Sequence, residues 1–191
     1  MVGKNAQLTL AASVLLLAAG AAFAAPAEPY VVDGGCRDGV AQGRYELRTS
    51  GGALRVVGAF NHGRRTGSFI FWDPSGARLA HIPYDDDARN GTLATWHEGA
   101  AAGAEPSRRQ ESTWRRGARD GPMRTWFRDG HRRSEADFAH GTLVRATAWS
   151  NAGTKLTGRA AREVVERDAA AADVFSADLE ALVRTHLPRC D

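Results

Sequence analysis

Three tryptophans, Trp72, Trp96 and Trp126, recur at spacings of 24 and 30 residues. Regularly placed indoles on a sheet can stack against sugar rings or lipid headgroups. They are also large enough to give a thin sheet its core, and that structural role comes first. Arginines cluster beside them: Arg64-Arg65, Arg108-Arg109, Arg115-Arg116, Arg119 and Arg132-Arg133. The planar guanidinium grips carboxylates and phosphates in a two-pronged contact. Arg64, Arg65, Arg115, Arg116 and Arg119 are therefore candidate contacts for an anionic lipid or an acidic partner. Acidic residues are interleaved (Asp85-Asp86-Asp87, Asp120, Asp129), so a solvated edge of paired charges is the plainer expectation. The two cysteines, Cys36 and Cys190, read first as a disulfide; free thiols or a bridge between chains stay open.

Other catalytic chemistry is not legible. His62 and His140 fall at one repeat position three repeats apart, which places them about 30 Å from each other. His81, His97, His131 and His186 match no metal-ligand spacing, and H-E-x-x-H is absent. There is no G-x-S-x-G, S-x-x-K or phosphate-cradling loop. The expectation is a chain with no catalytic residues, no metal and no cofactor.

The elements that must position these residues show in the glycines. Gly39, Gly63, Gly117 and Gly141 form one column, and Gly43, Gly67, Gly91 and Gly121 form a second. The period is 24, with six extra residues between Gly99 and Pro106 in the third unit. Phe60, Tyr84, Trp114 and Phe138 close successive units, and Gly52, Gly76 and Gly130 mark a further turn within each. Glycine serves here because tight antiparallel connections need positive φ. Each unit thus reads as a β-hairpin. Phe69 and Phe71 alternate with Ile70 and Trp72, so both faces of the sheet carry apolar groups.

This grammar of glycine, spacer, glycine, aromatic strand, turn glycine and closing aromatic resembles the bacterial variant of the MORN repeat (membrane occupation and recognition nexus). The resemblance covers about Cys36 to Gly158; Arg48 and Arg145 depart from it in the first and last units. It implies an open, single-layer antiparallel meander of about five hairpins and a role in interaction.

Beyond Gly158 the pattern changes. Val165, Ala172, Phe175, Leu179, Leu182 and Val183 recur at three- and four-residue steps, marking one apolar helical face that ends before Pro188. One helix over 159–187 or two shorter ones divided at Ser176 both fit. A single helix of that length, about 42 Å, could cross ten strands and deliver Cys190 to Cys36.

At the other end, Lys4, an apolar run from Leu8 to Ala22 and Ala22-Phe23-Ala24 spell a cleavable secretory signal, with an uncleaved membrane anchor as the alternative. The chain divides into a signal (1–24), a linker (25–35), hairpin repeats (36–158), a helix (159–187) and a tail (188–191). Without Lys4, 24 basic residues face 22 acidic ones, too small an excess for a nucleic-acid partner. The mature chain is expected to have no transmembrane span and to be periplasmic or secreted. The expected function is non-catalytic binding of a protein partner. Anionic lipid or glycan binding and immunity-type inhibition are the alternatives.

Overall fold

The computed structural model of the protein describes residues 29–99 and 106–191. The expected signal segment and residues 100–105 of the six-residue insert lie outside the described residues. Among those residues, twelve strands precede one helix: β1 Tyr30–Arg37, β2 Val40–Thr49, β3 Leu54–Asn61, β4 Arg64–Trp72, β5 Arg78–Asp85, β6 Ala88–Arg89, β7 Gly91–Trp96, β8 Arg108–Arg115, β9 Ala118–Trp126, β10 Arg132–Ala139, β11 Thr142–Trp149, β12 Lys155–Leu156 and α1 Gly158–Thr185. All strand pairs are antiparallel, and the sheet follows chain order except that the two-residue β6 pairs only with β5. The architecture is mainly β, an open single-layer meander with one helix packed across it.

The two glycine columns do different work. The first lies in two-residue hairpin turns along one rim of the sheet, at Asp38-Gly39, His62-Gly63, Asp86-Asp87, Arg116-Gly117 and His140-Gly141. Both residues of each turn have positive φ. That is the turn whose twist matches the flanking strands. Each later turn then donates a backbone N–H to the preceding repeat, as Gly63 does to the Ala41 carbonyl (2.9 Å) and Gly141 to Arg119 (2.7 Å). The second column kinks the strands just inside that rim, with φ of 83° at Gly43 and 67° at Gly67. The opposite rim is turned by Gly52, Gly76, Gly130 and Gly153, each donating to the carbonyl three residues back.

The first strand starts at Tyr30, within the stretch 25–35 expected as a linker. Tyr30 and Val32 alternate inward onto the core while Val31 stays exposed, which gives the segment a half-buried strand's pattern. The helix is a single piece of 28 residues ending two residues earlier than expected, at Thr185. Ser176 does not start a second helix, because its hydroxyl is buried and donates to the Ala172 carbonyl one turn back (2.8 Å). Burial falls on Ala161, Val165, Ala169, Ala172, Ser176, Leu179 and Val183, one stripe of the helix.

That stripe lies on the sheet face carrying Tyr45, Leu47, Val56, Phe60, Phe69, Phe71, Ile82, Tyr84 and Leu93. Edge-on aromatic pairs join Tyr45, Phe60, Phe69 and Tyr84, with ring centroids 5.3–5.6 Å apart. A smaller cluster, Met123, Ala136 and Phe138 with Val165 and Ala169, closes the other end. Past the helix, Pro188 packs on Gly34 of β1, and Cys190 is disulfide-bonded to Cys36 with Cα atoms 5.6 Å apart. The helix therefore crosses the meander from last hairpin to first, and the disulfide clips its end down.

Candidate functional site

Arginine at one repeat position builds the interface beneath the helix. Arg65, Arg89 and Arg119 follow the first turn of their units by two residues and point to the helix side. Their side chains are 17%, 14% and 9% exposed. Each lies over an aromatic ring of the closing column: Arg65 over Tyr84 (4.2 Å), Arg89 and Arg119 over Trp114 (4.7 Å each). The helix supplies the counter-charges in strand order. Asp168 receives Arg133 (2.8 Å), Asp173 receives Arg119 (2.8 Å) and Arg89 (3.7 Å), and Glu180 receives Arg89 (2.8 Å) and Arg65 (3.8 Å). The Tyr84 hydroxyl also donates to Glu180 (2.6 Å), and Tyr45 donates to the His186 carbonyl (2.8 Å) at the helix end. Burial pushes Glu180 upward. Hydrogen bonds from Arg89 and Tyr84 and the charges of Arg89 and Arg65 outweigh it, so the carboxyl is held below its ordinary range.

Arg119, a candidate anion contact from the sequence, is thus engaged by the protein's own helix, while Arg65, another, bonds Asp87 of the rim turn (2.5 Å) and reaches helix Glu180 only at longer range. The structure does not bring them together with Arg64, Arg115 and Arg116. Arg64 is half-exposed and reaches Asp86 (2.8 Å), and Arg115 reaches Asp120 (3.5 Å). Arg116 sits exposed in the turn before Gly117. These three share the rim of two-residue turns, spread across β4 to β9.

The open face carries the four tryptophans other than Trp114. Cross-strand register pairs Trp72 with Arg78, Trp96 with Arg108, Trp126 with Arg132 and Trp149 with Lys155. In sheet order β4, β5, β7, β8, β9, β10, β11 and β12, aromatic and cation alternate without a break. Seven strand spacings make this ladder about 34 Å long. Guanidiniums of Arg78 and Arg108 flank Trp96 at 5.3 and 4.9 Å, and Arg132 covers Trp126 at 4.8 Å. Trp96 is consequently only 9% exposed, while Trp72, Trp126 and Trp149 are half-buried. These four tryptophans therefore stand outside the helix-covered core clusters, and arginine stems share their cover. A groove of about 450 Å³ opens beside Trp96, lined by Ile70, Arg78, His81, Ala94 and Arg108. Burial and the Arg78 charge push His81 below the usual histidine value.

A second row on this face is charged in both signs. Glu111 accepts from Arg108 (2.7 Å) and lies 3.7 Å from Arg124, which also meets Glu135 (3.3 Å). On β2, Glu46 is clamped by Arg44 and Arg48, and hydrogen bonding from Arg48 lowers its pKa. Of the ladder's cations, Arg108 and Arg132 stand in arginine clusters visible in the sequence but outside the candidate contacts, and Arg78 and Lys155 were missed by sequence reasoning. The signal was present. Arg78, Arg132 and Lys155 each stand two residues after a turn glycine.

No protein-family model matches the chain, and no curated protein matches it. Among the described residues no helix is long and apolar enough to cross a membrane. The Cys36–Cys190 disulfide is of the kind that oxidising compartments sustain.

Proposed function

We propose that this chain is a non-catalytic binding module of the cell envelope that recognises a protein partner through the open sheet face. The observation that carries this reading is the Trp–cation ladder over eight neighbouring strands, on the face the helix leaves uncovered. Tryptophan and arginine are the side chains that concentrate binding energy at protein interfaces. Indoles already held under guanidiniums lose little freedom on docking. Glu111 and Glu135 in the adjacent row favour a partner of mixed charge over a uniformly anionic lipid or glycan surface, which those carboxylates would repel. The MORN-like reading of the repeat and export through the N-terminal signal belong to the same proposal. The repeat period supports the first, and the disulfide supports the second.

The test uses the mature chain from Ala25 as bait on the native envelope fraction, followed by titration of the purified partner. A Trp72→Ala, Trp126→Ala double variant is expected to fold and to bind about 100-fold more weakly, since each is a ~1–2 kcal/mol anchor. Unchanged affinity in that variant would remove the open face from the function. Binding to anionic vesicles that falls steeply with salt would replace the protein partner with lipid.

A further inference from the structure

The row of side chains running under the helix changes character midway along the sheet. In register it reads Leu47, Val56, Phe71, Ala80, then Thr95, Gln110, Thr125, Ser134. The last four are 1%, 2%, 5% and 1% exposed. Polar groups in a core raise the cost of burial unless every one is hydrogen-bonded. Thr125 and Ser134 are satisfied, bonding each other (2.6 Å) and Asp168 (2.8 and 2.9 Å). Gln110 is not. Its Nε2 donates to Ser112 Oγ (2.6 Å), and its Oε1 has no partner among the described residues. Turning the amide over lets Ser112 donate to Oε1 and leaves an unpaired N–H instead.

Directly over this row the helix reads Asp168-Ala169-Ala170-Ala171-Ala172, where Phe175, Leu179 and Val183 fill the gap elsewhere. The small side chains leave a cavity of about 280 Å³, roughly nine waters' worth, bordered by Gln110, Thr125, Ala171 and Ala172. Arg109, Arg128, Arg133 and His97 also line it, against the single carboxylate Asp168. Arg133 is committed to Asp168, and Arg128 donates to the Glu98 carbonyl (2.6 Å). Arg109 stacks on Phe175 (4.4 Å) and has no carboxylate partner among the described residues. The cations converge closely enough to act on His97, whose pKa is lowered by burial and then by Arg128 and Arg109, against the Trp126 carbonyl.

We infer that the cavity between α1 and strands β8–β10 binds a small organic or inorganic anion, a carboxylate or phosphate, clasped by Arg109 with the Gln110 amide turned to donate. This site opens on the helix side of the sheet; Trp126 of the ladder borders it, but its ligand and its test are separate from those of the open face.

The probes are potassium phosphate and potassium malonate, titrated calorimetrically into the disulfide-intact chain against potassium chloride at matched ionic strength. At least one is expected to bind saturably, one to one, and at 100-fold excess over its Kd to raise Tm by about 5 °C or more. Arg109→Gln should weaken binding at least tenfold. Gln110→Leu continues the apolar row, so it should fold at least as stably and lose binding. Arg78→Gln, on the open face, should bind as the parent does. Absence of saturable binding by both anions, or undiminished affinity in Arg109→Gln and Gln110→Leu, would overturn the assignment.

Discussion

Glu180 is the carboxylate on which the helix interface converges, taking Arg89 and Tyr84 directly and Arg65 at longer range. Its folded pKa is depressed, so its stabilising effect is complete above the unfolded value near 4.3 and vanishes as pH falls through the lower folded value. Glu180→Gln is expected to cost about 2–3 kcal/mol at pH 7, the scale of a charged hydrogen bond withdrawn from partly buried donors. Urea unfolding at pH 7 and pH 3 checks this: the gap between parent and variant should shrink at the lower pH. Gly58 is a second sensitive residue. A methyl group there would lie 2.5–2.6 Å from the Phe69 ring, which rests against the bare backbone. Gly58→Ala should destabilise by about 1–3 kcal/mol in the same assay, as overpacking does. Individual residues were the least legible from sequence. Arg64 and Arg65 are neighbours in one cluster, but the pleat sends Arg65 under the helix and Arg64 to the rim.

Elements were more legible, because period, turn chemistry and helical spacing are local signals. The hairpin units, the direction of the helix and its delivery of Cys190 to Cys36 all follow from glycine spacing and element length. The first strand was not, since Tyr30–Arg37 precedes the first repeat glycine and has only a short alternation to mark it. The helix itself depends on its clip. Closing a loop of 154 residues stabilises by about 4–5 kcal/mol in the chain-entropy model. Cys36→Ser, Cys190→Ser is therefore expected to keep the sheet while speeding amide exchange in the last helical turns and around Tyr45. Hydrogen exchange followed by mass spectrometry reads this out. Equal protection with and without the disulfide would mean that the ion pairs alone hold the helix.

At the scale of the whole molecule, two aromatic–cation ladders run along opposite faces of one sheet. The inner one joins Tyr84, Trp114 and Phe138 to Arg65, Arg89 and Arg119, and is closed by helix carboxylates. The outer one has no such cover among the described residues, and it is the surface we propose for the partner. The sequence placed apolar residues on both faces but could not say which the helix would take, because that choice depends on Asp168, Asp173 and Glu180 meeting particular arginines. Site-specific photo-crosslinking tests the central claim most directly. A crosslinker replaces His81, on the open face, or Val174, exposed on the helix's outer side, in chains expressed in the native envelope. The position at His81 should capture one identifiable protein, and adding Trp72→Ala and Trp126→Ala should abolish the adduct while Val174 yields none. Adducts only from Val174, or from His81 regardless of the tryptophans, would contradict binding through the open face.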